Sequence, residues 1–138
     1  MSDSEFWKYL HDGSIERIDG AVPGTVEVVV SIPYLRERFA GEGAGFRITL
    51  FDCTRFEYEA YGEPVCRDLA DIARRDLELL SLGSCLPIVV NCVMGRLSLE
   101  YSASSLALDT GEPISASQLA KASAGYWEEW SKPSRSEA

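Results

Sequence analysis

His11 is the one histidine in 138 residues, so any Ser-His-Asp or Cys-His catalytic set must use it. It stands in His11-Asp12-Gly13-x-Ile15, the most distinctive local feature of the chain. An imidazole there could titrate near neutral pH or touch a ligand. The same residues also suit a plain structural task. Asp12 forms turns, Gly13 permits positive φ, and His11 bonds backbone where a strand begins. No Gly-x-Ser-x-Gly elbow occurs, and Gly83-Ser84-Cys85 does not supply one. Nothing in the spacing ties a cysteine to His11, so nucleophilic catalysis has no support.

Metal and phosphate chemistry fare no better. Cys53, Cys66, Cys85 and Cys92 form no Cys-x-x-Cys pair, and one histidine cannot complete a zinc set. They read as buried, reduced thiols acting as small hydrophobes. The 22 acids include no calcium-loop pattern, and Glu57-x-Glu59 and Glu128-Glu129 read as solvated faces. Gly41-x-Gly43-x-Gly45 invites a phosphate-loop reading, but position 46 is Phe and a strand follows. It reads as a flexible connector. A glycosidase-type carboxylate pair needs a cleft that fixes its separation, and so small a chain shows no substrate loops. No cofactor and no metal are expected, and the chain reads as a non-enzyme.

Thirteen Lys and Arg against 22 Asp and Glu give a net charge of −9. Phosphate contacts need clustered bases, and no basic block occurs, so nucleic acid is not an expected partner. The start, Met1-Ser-Asp-Ser-Glu5, lacks a secretory pattern. No apolar run approaches the ~20 residues of a membrane span. A cytoplasmic protein that does not enter membranes is the expectation.

The elements that must position these residues are short. Glu5 to Leu10 reads as a helical turn, with Phe6 and Leu10 facing a core. Ser14 to Asp19 is a strand. Thr25 to Ile32 is the clearest one, with Val26, Val28, Val30 and Ile32 on one face. Phe46, Ile48 and Leu50 begin another, and Phe51 to Arg55 reads as a bulge or tight turn. Val65, Leu69 and Ile72 fall at helical spacing, giving a middle helix over about 64–75. Strands follow over Leu77–Leu82, Ile88–Val93 and Arg96–Tyr101, with Met94-Gly95 as a hairpin turn, and a last one holds Leu106 and Leu108. Ser115-x-x-Gln118 is a capping box that opens a C-terminal helix over about 115–130. Together these predict an α+β fold in one domain over 1–138. It holds a curved, mainly antiparallel sheet of six to eight strands and two or three helices, with frayed tails at 1–4 and 131–138.

Residues 6–35, through Trp7, His11, Asp12, Gly13, Ile15 and the strand Val26–Ile32, resemble the opening of several small, uncharacterised bacterial domains. Some of these are grouped with the immunity proteins of polymorphic toxin systems. The resemblance implies a non-enzymatic, acidic, single-domain protein and brings no catalytic residues with it. Two functions compete. One is a non-catalytic protein-interaction domain, an immunity-type inhibitor of a basic toxin, steered by its negative charge. The other is a small-molecule-binding domain or minor enzyme with a pocket in the curved sheet. The residues to watch are Trp7, His11, Asp12, Tyr34, Tyr61, Trp127 and Trp130, with Phe51 as a further pocket aromatic. A homodimer through a sheet edge or the Tyr126–Trp130 helix end is compatible with either.

Overall fold

The alternation of Val26, Val28, Val30 and Ile32 decides the centre of the fold, because all four side chains are withdrawn from water. Each such burial contributes about 1.5–3 kcal/mol. The computed structural model describes residues 5–85 and 87–131, the last three as backbone only. In chain order its strands are β1 (Ser14–Gly20), β2 (Gly24–Ser31), β3 (Gly45–Cys53), β4 (Arg55–Ala60), β5 (Leu79–Cys85), β6 (Ile88–Cys92), β7 (Gly95–Glu100), β8 (Ala103–Leu108) and β9 (Pro113–Ile114). One sheet runs β1-β2-β3-β8-β9 and the other β4-β7-β6-β5, with every pairing antiparallel.

The two sheets are one ribbon bent at a corner. β3 passes into β4, and its partner β7 passes into β8. Asp52 takes a φ of 52° at the bend, and its carboxylate accepts the Ser102 hydroxyl at 2.9 Å. Pairing continues through the corner: the Thr54 N–H donates to the Glu100 carbonyl and the Ser102 N–H to the Phe51 carbonyl, each at 2.9 Å. The polar interruption at Asp52 and Thr54 thus marks the bulge that the sequence suggests. The α+β class and the antiparallel pairing are as expected. The corner splits the expected single sheet into two, and nine strands are present among the described residues. On the other side, Asp12 and Ile15 donate to the carbonyls of Leu79 and Leu77, and Leu79 donates back to Gly13. A single hydrophobic core fills the space between the sheets.

Four helical segments are present among the described residues: a 3-10 turn at Glu5–Tyr9, then α1 (Pro33–Arg36), α2 (Leu69–Ala73) and α3 (Ala116–Ser131), which packs on the first turn and α1. α2 is much shorter than the middle helix expected over 64–75. Cys66 exchanges both backbone hydrogen bonds with Tyr58 of β4, which holds the preceding stretch extended. The helix then opens at Asp68, whose carboxylate accepts from the Ala70 and Asp71 N–H groups. The capping box of α3 closes in both directions: Ser115 N–H to Gln118 Oε1 at 2.7 Å and Gln118 N–H to Ser115 Oγ at 3.0 Å. Among the described residues no helix is long and apolar enough to cross a membrane. Of the expected frayed tails at 1–4 and 131–138, Ser131 is instead the last residue of α3; residues 1–4 and 132–138, and the Trp130 side chain, lie outside the described residues.

Candidate interaction site

His11, Asp12, Tyr34 and Trp127 do meet in space. Asp12 takes a φ of 70°, which turns the chain from the 3-10 segment into β1. Gly13 lies so close beneath β2 that a Cβ there would stand 2.7 Å from Val30 Cγ1. These two residues place His11 against the start of β5, where its Nδ1 is 2.6 Å from the Leu80 carbonyl oxygen. A carbonyl only accepts, so Nδ1 carries the hydrogen. Nε2 faces the Asp12 carboxylate at 3.5 Å. The Tyr34 hydroxyl donates to the His11 carbonyl at 2.7 Å. Tyr126 packs on Tyr34 with ring centroids 4.2 Å apart, and Trp127 stands edge-on to Tyr34 and 6.3 Å from His11. Burial pushes the Tyr34 phenol up to about 12, with Asp12 and Tyr126 adding to the rise, so it stays a neutral donor.

This cluster ties α1, α3, the first turn and β5 to one another. His11 Nδ1 and the Tyr34 hydroxyl each hold a backbone carbonyl, and Asp12 faces the imidazole from the other side. These contacts are the ones that the structural task of His11-Asp12-Gly13 calls for. Trp7 lies apart from this cluster as a core residue, 1% exposed, and its indole N–H donates to the Tyr101 hydroxyl at 3.1 Å.

The glycine loop between α1 and β3 is built around a charge. Arg36 is 1% exposed. Its Nε donates to Asp109 Oδ1 at 3.0 Å, Nη1 to the Ala40 carbonyl and Nη2 to the Glu42 carbonyl. Asp109 Oδ2 accepts the N–H groups of Ala44 and Gly45. Burial alone would raise this carboxyl, but the Ala44 N–H, the Arg36 guanidinium and the Gly45 N–H outweigh it and hold it below the usual range. A Cβ on Gly43 would overlap the Asp109 carboxylate and sit 2.7 Å from Arg36 Nε. The expected flexible connector is instead wrapped on an ion pair.

Tyr61 belongs to another place, the end of the four-stranded sheet where β4 and the β6–β7 hairpin turn. Its N–H donates to the Met94 carbonyl at 3.0 Å. The ring is 72% exposed, Met94 67% and Val93 43%. On one side of Tyr61 lies an open hollow of about 410 Å³, walled by Tyr58, Leu77, Val93 and Met94 and rimmed by Glu63, Arg75, Asp76 and Glu78. A second hollow of about 280 Å³ adjoins it, lined by Tyr61, Glu59 and Arg96 among others. Arg75 is 3.5 Å from Glu63 and caps the Tyr58 ring at 5.3 Å. Arg96 pairs with Glu59 at 3.1 Å. Among the described residues no ion pair or hydrogen bond engages the Asp76 or Glu78 carboxylate. Burial raises the Tyr58 phenol, so its hydroxyl is neutral in the hollow's wall.

Of the aromatics expected to line one pocket, Trp7 is buried in the core, Phe51 is exposed, Tyr34 and Trp127 meet beside His11, and Tyr61 lines the hollow at the end of the four-stranded sheet; the Trp130 side chain lies outside the described residues. Sequence reasoning singled out Tyr61 but missed Met94, Arg75, Asp76 and Glu78. One signal was present: a large apolar residue at a hairpin tip, where Asn or Gly is the ordinary choice. Among the described residues no three of His, Cys, Asp and Glu are grouped to hold a metal ion. All four cysteines are unpaired; Cys53 and Cys92 are buried and Cys85 is exposed. Comparison with family models, with curated proteins and with solved structures returns no match for this chain.

Proposed function

We propose that this chain is a non-catalytic protein-interaction domain whose partner is a basic protein. The observation that carries the reading is the end of the four-stranded sheet. There Tyr61 and Met94 hold large apolar surface in water beside the carboxylates of Asp76 and Glu78. Aromatic residues and Met flanked by polar groups are the usual make-up of an interface centre. The net charge of −9 would speed encounter with a cationic surface. An immunity-type inhibitor of a basic toxin is the particular form of this reading, acting in the cytoplasm, where its four unpaired cysteines would remain reduced.

The volume of the larger hollow, about 410 Å³, favours a second reading: a small-molecule-binding domain or minor enzyme. One experiment separates them. The tagged chain and its Tyr61→Ala/Met94→Ala variant are purified in parallel from the native host, and protein and metabolite content are measured by mass spectrometry. The reading expects a basic protein at one-to-one stoichiometry with the wild type and its loss from the variant. A bound metabolite, a homodimer that buries Tyr61, or equal capture by both chains overturns it.

A further inference from the structure

The hollow beside Tyr61 has the wrong shape for a flat contact and the right chemistry for one long cationic side chain. Its rim carries four charged residues. Arg75 pairs with Glu63 and lies over Tyr58, so its positive charge is offset within the rim, and Asp76 and Glu78 leave the rim net acidic. Asp76 and Glu78 are left as acceptors without a partner among the described residues. The wall is apolar where a methylene stem would lie, on Leu77, Val93 and Met94. The exposed Tyr61 ring offers a face to a cation.

Met94 supplies an observation independent of charge. It sits at a φ of 69°, a region that suits glycine or asparagine and strains a long side chain. A residue that is both strained and 67% exposed contributes little to folding. Its side chain completes the hollow instead.

We propose that this hollow is a socket for an arginine side chain presented by the basic partner. The inference rests on the interaction reading above and names what that partner inserts. The guanidinium would meet Asp76 and Glu78, its stem would lie on Met94 and Val93, and Tyr61 would close over it. A planar fork matches carboxylates in pairs and stacks on aromatic rings, which an ammonium does not do.

The test uses an acetylated, amidated hexa-arginine peptide, titrated into the full chain at moderate salt and followed by amide and methyl NMR shifts. A hexalysine peptide serves as the second arm. Three chains are compared: wild type, Asp76→Asn/Glu78→Gln, and Glu16→Gln/Glu112→Gln, which has the same net charge but leaves the hollow intact. The expected result is shifts centred on Tyr61, Asp76, Glu78 and Met94 in the wild type. Affinity should fall about tenfold in the hollow variant and less than about twofold in the control. The arginine peptide should bind more tightly than the lysine peptide. Equal losses in both double variants, shifts spread over the surface, or equal binding of the two peptides overturns the socket. None of these outcomes touches the co-purification result, so failure of the socket and failure of the interaction reading are told apart.

Discussion

Arg36 with Asp109, and Asp76 with Glu78, are two charged sites treated in opposite ways. Around Arg36 the donors find carbonyls or a carboxylate, and Asp109 receives two backbone N–H groups besides. A glycine loop folds over the pair, and Gly43 leaves room for it. At the end of the four-stranded sheet, two carboxylates face water without such partners among the described residues, and Tyr61, Val93 and Met94 beside them are exposed rather than buried. The first arrangement is complete within the chain: it fixes a loop and presents nothing. The second is incomplete within the chain, and it is there that a partner would find both charge and apolar surface. On the proposed reading, what separates a structural charge from a recognition charge is how far its hydrogen-bonding capacity is already filled.

The largest expected effect breaks the first site. Arg36→Ala strips three carbonyl and carboxylate acceptors of their donors inside a closed loop. Removing one member of a buried pair is expected to cost about 3 kcal/mol. The urea midpoint should fall accordingly, while hexa-arginine binding at Tyr61 stays unchanged in conditions where the variant is folded. A loss below about 1 kcal/mol would mean that the loop does not depend on the guanidinium.

Legibility followed range along the chain. β2 was readable because its period-2 alternation is local, and the corner was readable because Asp52 and Thr54 interrupt an apolar face. α2 was overextended because Val65, Leu69 and Ile72 keep helical spacing, while the backbone bridge of Cys66 to Tyr58 is a tertiary fact that no period carries. Arg36 and Asp109 are 73 positions apart, so nothing local announced their pairing or the ordering of the glycine loop. His11 drew notice through a rare residue type, yet its partner is the carbonyl of Leu80 on a strand distant in sequence. Tyr61 was singled out, but its neighbours come from three separate turns and become a site only when the sheet assembles them.

A smaller effect sharpens the comparison through pH. The folded-state carboxyl of Asp109 is held below its ordinary value of 3.8. A depressed acid contributes stability that is whole above the unfolded-state value and is lost as pH falls through the folded one. Asp109→Asn keeps the shape and removes the charge, at a cost of about 1.5 kcal/mol near neutrality. The stability gap between wild type and variant should therefore be steady from pH 7 to 5 and narrow below 3.8. Urea midpoints at pH 7, 5 and 3 measure it. A gap that is the same at pH 3 as at pH 7 would mean that the Asp109 charge does not hold the loop.

The smallest effect in free energy discriminates best, because it moves stability and binding in opposite directions. Met94 occupies a positive-φ position and is largely exposed, so glycine relieves backbone strain there and forfeits little packing. Met94→Gly should raise stability by about 0.5 kcal/mol, the strain relief being partly offset by the greater freedom of glycine in the unfolded chain. The same change removes one wall of the hollow and should weaken hexa-arginine binding about fivefold. If Met94 were only a turn residue, the variant would be more stable and bind as well as the wild type. If it were a packing residue, stability and binding would fall together. A strained apolar side chain kept at a hairpin tip has a reason to be there only if the more stable variant is also the poorer binder.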